Sequence, residues 1–164
     1  MHPTLQAVVI CLGAAAVEGV MTGRGVRARF AALRQPPYSP PLTIWFLIGG
    51  AYYVICAVLL SRLLASRLPT VPHRVALGLL VALMVANAAW GLLFFRRKDL
   101  RASFLAFLPY GLIALTLAII FGRIDRTALG VFAPYLLYLG YATWWSHRLW
   151  VLNRAPAASG LTSA

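Results

Sequence analysis

Long uninterrupted apolar stretches constrain this chain more than any other feature of its sequence. Five of them occur in 164 residues, and each approaches the roughly 20 residues that a helix needs to cross a bilayer core. They are rich in Leu and Ala and lack the alternation of apolar and polar residues that barrel strands show. The sequence therefore predicts an all-α integral membrane protein, a bundle of five transmembrane helices at about 5–22, 44–64, 75–95, 102–121 and 128–150.

The first stretch predicts a retained helix and not a cleaved signal peptide. No Lys or Arg precedes it, and the acid Glu18 follows the small residues 14–16. Residues 1–154 then form one transmembrane domain, and the Ala-rich and Ser-containing end at 155–164 predicts a disordered tail.

The charged residues of the chain are few and mostly basic. The chain has fifteen Lys and Arg but only three acids, which gives a net charge of +12. Because the basic residues lie in loops between apolar stretches, a nucleic-acid function is not expected. Ten of them fall on the side of the first loop, the third loop and the C-terminus. This bias predicts an N-terminus outside and a C-terminus in the cytoplasm, and the excess of Arg over Lys suggests a bacterial membrane.

The first and longest loop, residues 23–43, ends in a proline-rich run at 36–41. Prolines favour a stiff, extended backbone, so this loop can form a fixed lid over the bundle or a rigid entry to the second helix, and the two interpretations are compatible. On the third helix Gly78, Ala82 and Ala86 recur every four residues. Such a stripe lets helices approach closely, either across a homodimer interface or within one chain.

Aromatic and amide side chains at helical spacing mark a possible pocket. On the third helix an amide and two aromatic side chains share a face, and on the second and fifth helices further tyrosines occur. Aromatic residues inside a bundle suit a flat hydrophobic ligand, whereas at helix ends they are usually interface anchors. The residues so singled out are Tyr53, Asn87, Trp90, Phe94, Tyr138, Tyr141, Ala142 and Trp145.

Other polar residues predict no catalytic or metal chemistry. No nucleophile and base pair, metal-ligand spacing or phosphate-binding loop is present in the sequence, and Cys11 and Cys56 are expected to be packing residues. Glu18 is the only acid inside a predicted span, which favours a functional role by default. Because it lies near a helix end, however, we expect it to pair with Arg24 or Arg27.

Three groups of residues occur in order along the chain. The first is Phe30-x-x-Leu33-x-x-Pro36 followed by Tyr38-Ser39-Pro40-Pro41 at the entry to the second helix. The second is Asn87-Ala88-Ala89-Trp90 with Phe94-Phe95. The third is Pro134-Tyr135-Leu136 with Tyr138, Tyr141-Ala142, Trp150 and Asn153. Together they resemble the translocator-protein or tryptophan-rich sensory protein family, also called TspO/MBR or peripheral-type benzodiazepine receptors.

The resemblance implies a homodimer of five-helix bundles that binds porphyrins, haem precursors or sterols, cholesterol among them, in a pocket covered by the first loop. No cofactor is required. Carried over residue by residue, the implied pocket contains Tyr38, Tyr53, Asn87, Trp90, Tyr138, Ala142 and Trp145. The leading hypothesis is a receptor or transporter for tetrapyrroles with a regulatory or export role. The alternatives are an enzyme that degrades porphyrin in a light-dependent way and a membrane scaffold subunit without a small-molecule ligand.

Several tryptophans of the family pattern are replaced here. Gly49, Tyr38, Thr43 and Tyr138 stand where the family has tryptophan, while Trp45 and Trp144 are present but out of register. Because porphyrin degradation in the family is attributed to such tryptophans, an enzymatic role is less expected than binding.

Overall fold

The described part of the computed structural model, residues 2–66 and 70–154, is almost entirely helical and contains no strand. A π-helical turn at Leu92–Arg96 directly follows the helix Val71–Gly91. The α-helices are α1 (Pro3–Thr22), α2 (Val26–Ala31), α3 (Leu42–Leu64), α4 (Val71–Gly91), α5 (Leu100–Leu105), α6 (Phe107–Ile124) and α7 (Arg126–Leu152). The tail predicted to be disordered at 155–164 lies outside the described residues.

Four of the helical segments are long and apolar enough to cross a membrane: Pro3–Thr22, Leu42–Leu64, Val71–Arg96 and Leu100–Ile124. This supports the prediction of an all-α integral membrane protein. The prediction of five crossings is not confirmed by this measure. The remaining long helix, α7, has 27 residues, but tyrosines, His147 and Arg148 make it less apolar than the others.

The fourth predicted span is two helices and not one. Helix α5 ends at Leu105 and α6 begins at Phe107, shortly before Pro109. Proline has no backbone N–H, so the carbonyl of Leu105 loses the donor that a continuous helix would provide. Pro134, in contrast, lies inside α7 without interrupting it.

The long helices close into a ring. Helix α1 packs against α3 and α4, α4 packs against α6, α6 against α7, and α7 returns to α3. The short α5 packs against α7. In this arrangement α1, α3, α4 and α7 all border the interior of the bundle.

One half of the interior is filled by aliphatic and phenylalanine side chains. Leu59, Leu80, Leu83, Leu117 and Phe121 are fully buried there, and the small residues between them allow close packing. Cys11 and Cys56 belong to the same core as free, buried thiols, in agreement with the packing role predicted for them.

An ion pair connects two helices at the end of this filled half that lies farthest along α3. Arg62 at the end of α3 donates two hydrogen bonds, of 2.7 and 2.9 Å, to the carboxylate of Asp125. Asp125 is also the N-cap of α7 and accepts a hydrogen bond of 3.0 Å from the backbone N–H of Ala128.

The small-residue stripe on α4 turns from the outside of the bundle toward its inside. Gly78 is exposed, Ala82 is half-buried, and the half-buried Ala86 packs against the core. Val81 and Val85 flank the stripe on the exposed side. The homodimer interface predicted at this stripe stays a prediction.

Candidate ligand-binding site

The other half of the bundle contains a partly open cavity of about 440 Å³. Residues of α1, α3, α4 and α7 form its walls, and Gly23, Val26 and Phe30 of the first loop region also line it. A smaller cavity of about 50 Å³ continues toward α5 and α6 and shares several wall residues with the larger one. Both volumes together lie where the sequence predicted an aromatic pocket.

The structure brings six of the nine predicted pocket residues to these cavities. Those that line the larger cavity are Tyr53, Asn87, Trp90, Tyr138 and Trp145. Ala142 lines the smaller cavity. The other three, Tyr38, Phe94 and Tyr141, line neither.

The three residues outside the cavities lie beneath the wall residue Trp90 or at the contact between the first loop and α7. Phe94 is fully buried and stacks beneath Trp90, with ring centroids 5.0 Å apart and planes inclined by 13°. Tyr38 adopts a φ of 64° in a tight turn, and its side chain is 87% exposed. The hydroxyl of Tyr141 donates a hydrogen bond of 3.0 Å to the backbone carbonyl of Tyr38, so it holds the loop.

Side chains of α7 fasten the first loop onto the bundle. The amide of Asn153 accepts from the N–H of Arg34 at 2.9 Å and donates to its carbonyl at 3.0 Å. The indole of Trp145 donates to the hydroxyl of Ser39 at 2.9 Å. The loop region is therefore fixed on the bundle next to the cavity that it helps to line, and its role as a lid stays a prediction.

The cavity wall also contains aromatic residues that were not among the predicted pocket residues. Trp45 lies 4.6 Å from Trp145, centroid to centroid, and Phe30 stacks on Trp145 at 6.1 Å with an interplanar angle of 18°. One signal for Trp45 was available, because it precedes Gly49 by one helical turn and so shares its face. A Cβ at Gly49 would meet no atom within 4 Å, so this position is open space next to the cavity.

Glu18 lines the cavity, and its partners differ from those expected. Its Oε2 accepts hydrogen bonds from the Tyr53 hydroxyl at 2.5 Å and from the Asn87 amide at 2.8 Å. Within the described chain Glu18 forms no ion pair, so the expected pairing with Arg24 or Arg27 is wrong. Neighbouring helices supply nearer donors than the loop that follows α1.

Three buried hydrogen-bond donors in the wall have no partner within residues 2–66 and 70–154. They are the indole N–H groups of Trp45 and Trp90 and the hydroxyl of Tyr52. All three residues line the larger cavity. An unsatisfied buried donor costs about 1–3 kcal/mol, so the wall of the cavity carries a local cost that the packing of its other side chains must offset.

The described residues contain no group of three His, Cys, Asp or Glu side chains that could hold a metal ion. The side chains that line the cavity are suited to stacking, to hydrogen bonding and, at Glu18, to accepting hydrogen bonds with a charged group.

Comparison with known proteins places the chain in a family. Residues 7–151 match the TspO/MBR family. The translocator protein of Ovis aries is 30% identical over 137 residues, which cover 80% of this chain and 78% of the sheep protein. The translocator protein of Bos taurus is 28% identical over the same length and the same shares. The chain belongs to the TspO/MBR family.

Proposed function

We propose that the protein is a multi-pass membrane receptor or transporter that binds a flat, largely apolar molecule in the cavity of about 440 Å³. The ligand class that we favour is the tetrapyrroles, meaning porphyrins and haem precursors, with sterols second. The role is regulation or export, without covalent chemistry and without a required cofactor. The observation that carries this proposal is the size of that cavity and its wall, which is apolar and aromatic with a few polar side chains such as Glu18 and Asn87.

Size and wall chemistry favour a ligand of this kind. Cavities of roughly 300–1,000 Å³ hold drug-sized molecules, and apolar walls with a few polar groups are typical of them. The indoles of Trp45 and Trp90 offer flat surfaces for stacking. The side chain of Arg96 lies next to the cavity-lining Gly23, 3.9 Å from where a Cβ would stand at that residue. Its guanidinium can there meet an anionic group at the edge of a tetrapyrrole.

Titration of the detergent-solubilised protein with protoporphyrin, followed by quenching of tryptophan fluorescence, tests the proposal. We expect saturation near one ligand per chain. Trp90→Ala and Asn87→Ala should each weaken binding by about tenfold or more, because they remove wall contacts worth at least about 1.4 kcal/mol. Absence of saturable binding would instead favour a scaffold subunit without a small-molecule ligand.

Two neighbouring glycines provide a matched pair of variants for the same titration. Gly49 lines the cavity and Gly50 does not, and a Cβ at either position meets no atom within 4 Å. Gly49→Leu should fill part of the cavity and weaken binding, whereas Gly50→Leu should leave it unchanged. Leucine adds no fluorophore, so the quenching signals remain comparable. Equal affinities for the two variants would place the ligand elsewhere.

The same proposal includes α7 as a fifth crossing. Its 27 residues are long enough to span a bilayer, and it packs against α3 and α6 like the other spans. With five crossings His2 and Arg154 would lie on opposite sides, and the bias of basic residues toward the first and third loops and the C-terminus favours His2 outside. Impermeant maleimide should therefore label His2→Cys in intact cells and Arg154→Cys only after lysis, while labelling of both in intact cells would contradict an odd number of crossings.

A homodimer formed through the exposed end of the small-residue stripe also belongs to this proposal. Gly78 is the position where an added side chain obstructs a partner helix but meets nothing within its own chain. Gly78→Leu should lower the dimer fraction measured by light scattering in detergent. An unchanged dimer fraction, or a wild-type protein that is monomeric, would remove this interface.

One observation favours a second candidate, an enzyme that degrades bound porphyrin under illumination. Trp45, Trp90 and Trp145 all line the cavity, so indoles surround a bound ligand although several family tryptophans are replaced. Illumination of the protoporphyrin complex in air, with product analysis, separates the two functions. Loss of porphyrin with wild type but not with Trp90→Phe would favour the enzyme, and stable porphyrin would favour the receptor or transporter.

A further inference from the structure

Among the residues that the structure describes, Glu18 is the only charged side chain that lines the larger cavity. The lining residues of the described chain include no Lys, Arg or His, and the remainder are apolar, aromatic, amide or hydroxyl-bearing. A carboxylate inside a membrane bundle is costly and is normally retained for a function. The interior of this cavity therefore presents one acidic group and no basic group to a ligand.

Three helices fix the position of this carboxylate. Glu18 on α1 accepts from Tyr53 on α3 at 2.5 Å and from Asn87 on α4 at 2.8 Å, and both donors contact the same oxygen, Oε2. The second oxygen, Oε1, has no hydrogen-bond partner in the described part of the chain. A carboxylate oxygen of this kind can accept a hydrogen bond from a guest.

A glycine on α4 lets α1 approach closely enough to place the carboxylate there. A Cβ at Gly91 would lie 2.8 Å from the Oγ1 of Thr22 and 4.0 Å from the Cγ of Glu18. Any larger residue at position 91 would therefore require the Thr22 side chain or this end of α1 to move. The close helix contact and the two donors together hold the acidic group against the cavity wall.

Aromatic rings of the same cavity suit a positive charge. Trp45, Trp90 and Phe95 line it together with Glu18, and the faces of such rings attract cations within about 6 Å of their centres. A protonated amine is a strong hydrogen-bond donor that can use both the carboxylate and a ring face. An anionic group at the same depth would find no basic residue in the lining.

We infer that Glu18 makes the interior of this cavity selective for ligands that carry a protonated amine on a flat apolar body. This rests on the ligand-binding part of the proposed function. The anionic edge of a tetrapyrrole can remain at the loop side of the cavity, near Arg96, whereas the part of a ligand that reaches Glu18 is a donor. The cavity thus distinguishes ligands by the charge of their inner end.

Two flat probes of nearly equal shape test this selectivity. Acridine is neutral at neutral pH, and 9-aminoacridine is a cation. Binding of each to wild type and to Glu18→Gln is measured by fluorescence in non-ionic micelles. Wild type should bind the cation at least tenfold more tightly than acridine. Glu18→Gln should lose about 10–100-fold of its affinity for the cation, as a charge-assisted hydrogen bond contributes, and should change little for acridine.

Asp99→Asn provides the matched control. It removes the same single negative charge, and asparagine caps a helix about as well as the aspartate that caps α5. Because Asp99 does not line the cavity, this variant should bind both probes like wild type. An equal loss of cation affinity in Asp99→Asn would overturn the inference, because it would reduce the selectivity to net charge.

A measurement on wild type alone keeps the inference testable if Glu18→Gln does not fold. Dicyclohexylcarbodiimide modifies carboxyl groups in apolar surroundings, and the adduct at Glu18 is quantified by mass spectrometry. The cationic probe should slow this modification several-fold and acridine should not. Equal effects of the two probes, or none, would overturn the inference.

The inference and the proposed function can fail separately. Saturable protoporphyrin binding without any Glu18-dependent preference for the cation leaves the proposed function standing and overturns the inference. Glu18-dependent binding of 9-aminoacridine without protoporphyrin binding removes the tetrapyrrole role and supports the inference.

Discussion

The two halves of the helix bundle use the same helices but pack them differently. In the filled half, Leu59, Leu80 and Leu117 are fully buried against one another's helices. In the other half, Trp45 and Trp90 stand around a cavity of about 440 Å³. The difference runs along each helix, so the start of α3 lines the cavity and its end belongs to the filled core.

The contrast teaches how a small bundle can be both stable and hollow. Branched aliphatic side chains interdigitate and leave few voids, whereas flat rings beside a glycine such as Gly49 cannot fill the space between helices. The filled half and the Arg62–Asp125 ion pair hold the helices together. The hollow half can then keep an open volume and unpartnered donors without unfolding the chain.

The largest expected effect comes from deleting side-chain volume in the filled half. Leu80 is fully buried, so Leu80→Ala should lower the free energy of unfolding by about 2–4 kcal/mol through the cavity it creates. Ile48 already borders the open cavity, so Ile48→Ala should cost under about 1 kcal/mol. Reversible unfolding in mixed micelles of mild and denaturing detergent measures both. Equal losses would remove the distinction between the halves.

A smaller effect is expected where the first loop is fastened over the hollow half. Asn153→Ala removes two hydrogen bonds to the backbone of Arg34 and one of 2.8 Å to Leu149. Hydrogen exchange of the loop at residues 30–41 should accelerate by about 10–100-fold, since about 1–3 kcal/mol of local stability is lost.

Val151→Ala is the control for this experiment. Val151 lies two residues before Asn153 and is 39% exposed. Its substitution should leave loop exchange at the wild-type rate. Acceleration of exchange throughout the bundle in Asn153→Ala would show that the residue stabilises α7 and not the loop specifically.

The smallest effect concerns the ion pair at the end of the filled half. Hydrogen bonds from Arg62 hold the pKa of the Asp125 carboxyl below its ordinary value of 3.8. A lowered pKa contributes stability above the unfolded value, and that stability is lost as pH falls through the folded value. Asp125→Asn keeps the helix cap, so at neutral pH it should cost about 0.5–1 kcal/mol.

The difference between wild type and Asp125→Asn should shrink as the pH is lowered below about 4. Unfolding of both proteins across this pH range measures it. A difference that is independent of pH would mean that the carboxylate charge contributes nothing and that only its shape matters.

Most of the helical framework could be predicted because hydropathy reports directly on the bilayer. The predicted spans 5–22 and 44–64 lie within α1 and α3 and share their last residues. The π-helical turn at Leu92–Arg96 could not be predicted, since a locally wider helix has no compositional signature. The break before Pro109 was signalled by the proline, but its exact place depends on how α5 packs against α7.

The cavity could be predicted only in part. Spacing and family resemblance singled out Asn87, Trp90 and Trp145, which line it. Trp45 was not predicted as a pocket residue because it lies out of register with the family pattern. The partners of Glu18 were not predicted because Tyr53 and Asn87 contact it from other helices. The sequence alone indicates only the charged residues that are close along the chain.

Much of the fastening of the first loop depends on its main chain. Asn153 contacts the N–H and carbonyl of Arg34, and Tyr141 contacts the carbonyl of Tyr38. These atoms are present in every residue type except proline, which lacks the N–H needed at position 34. Substitutions at these two positions that keep the backbone conformation should therefore leave the loop attached, whereas loss of the Asn153 or Tyr141 side chain on the last helix removes the attachment itself.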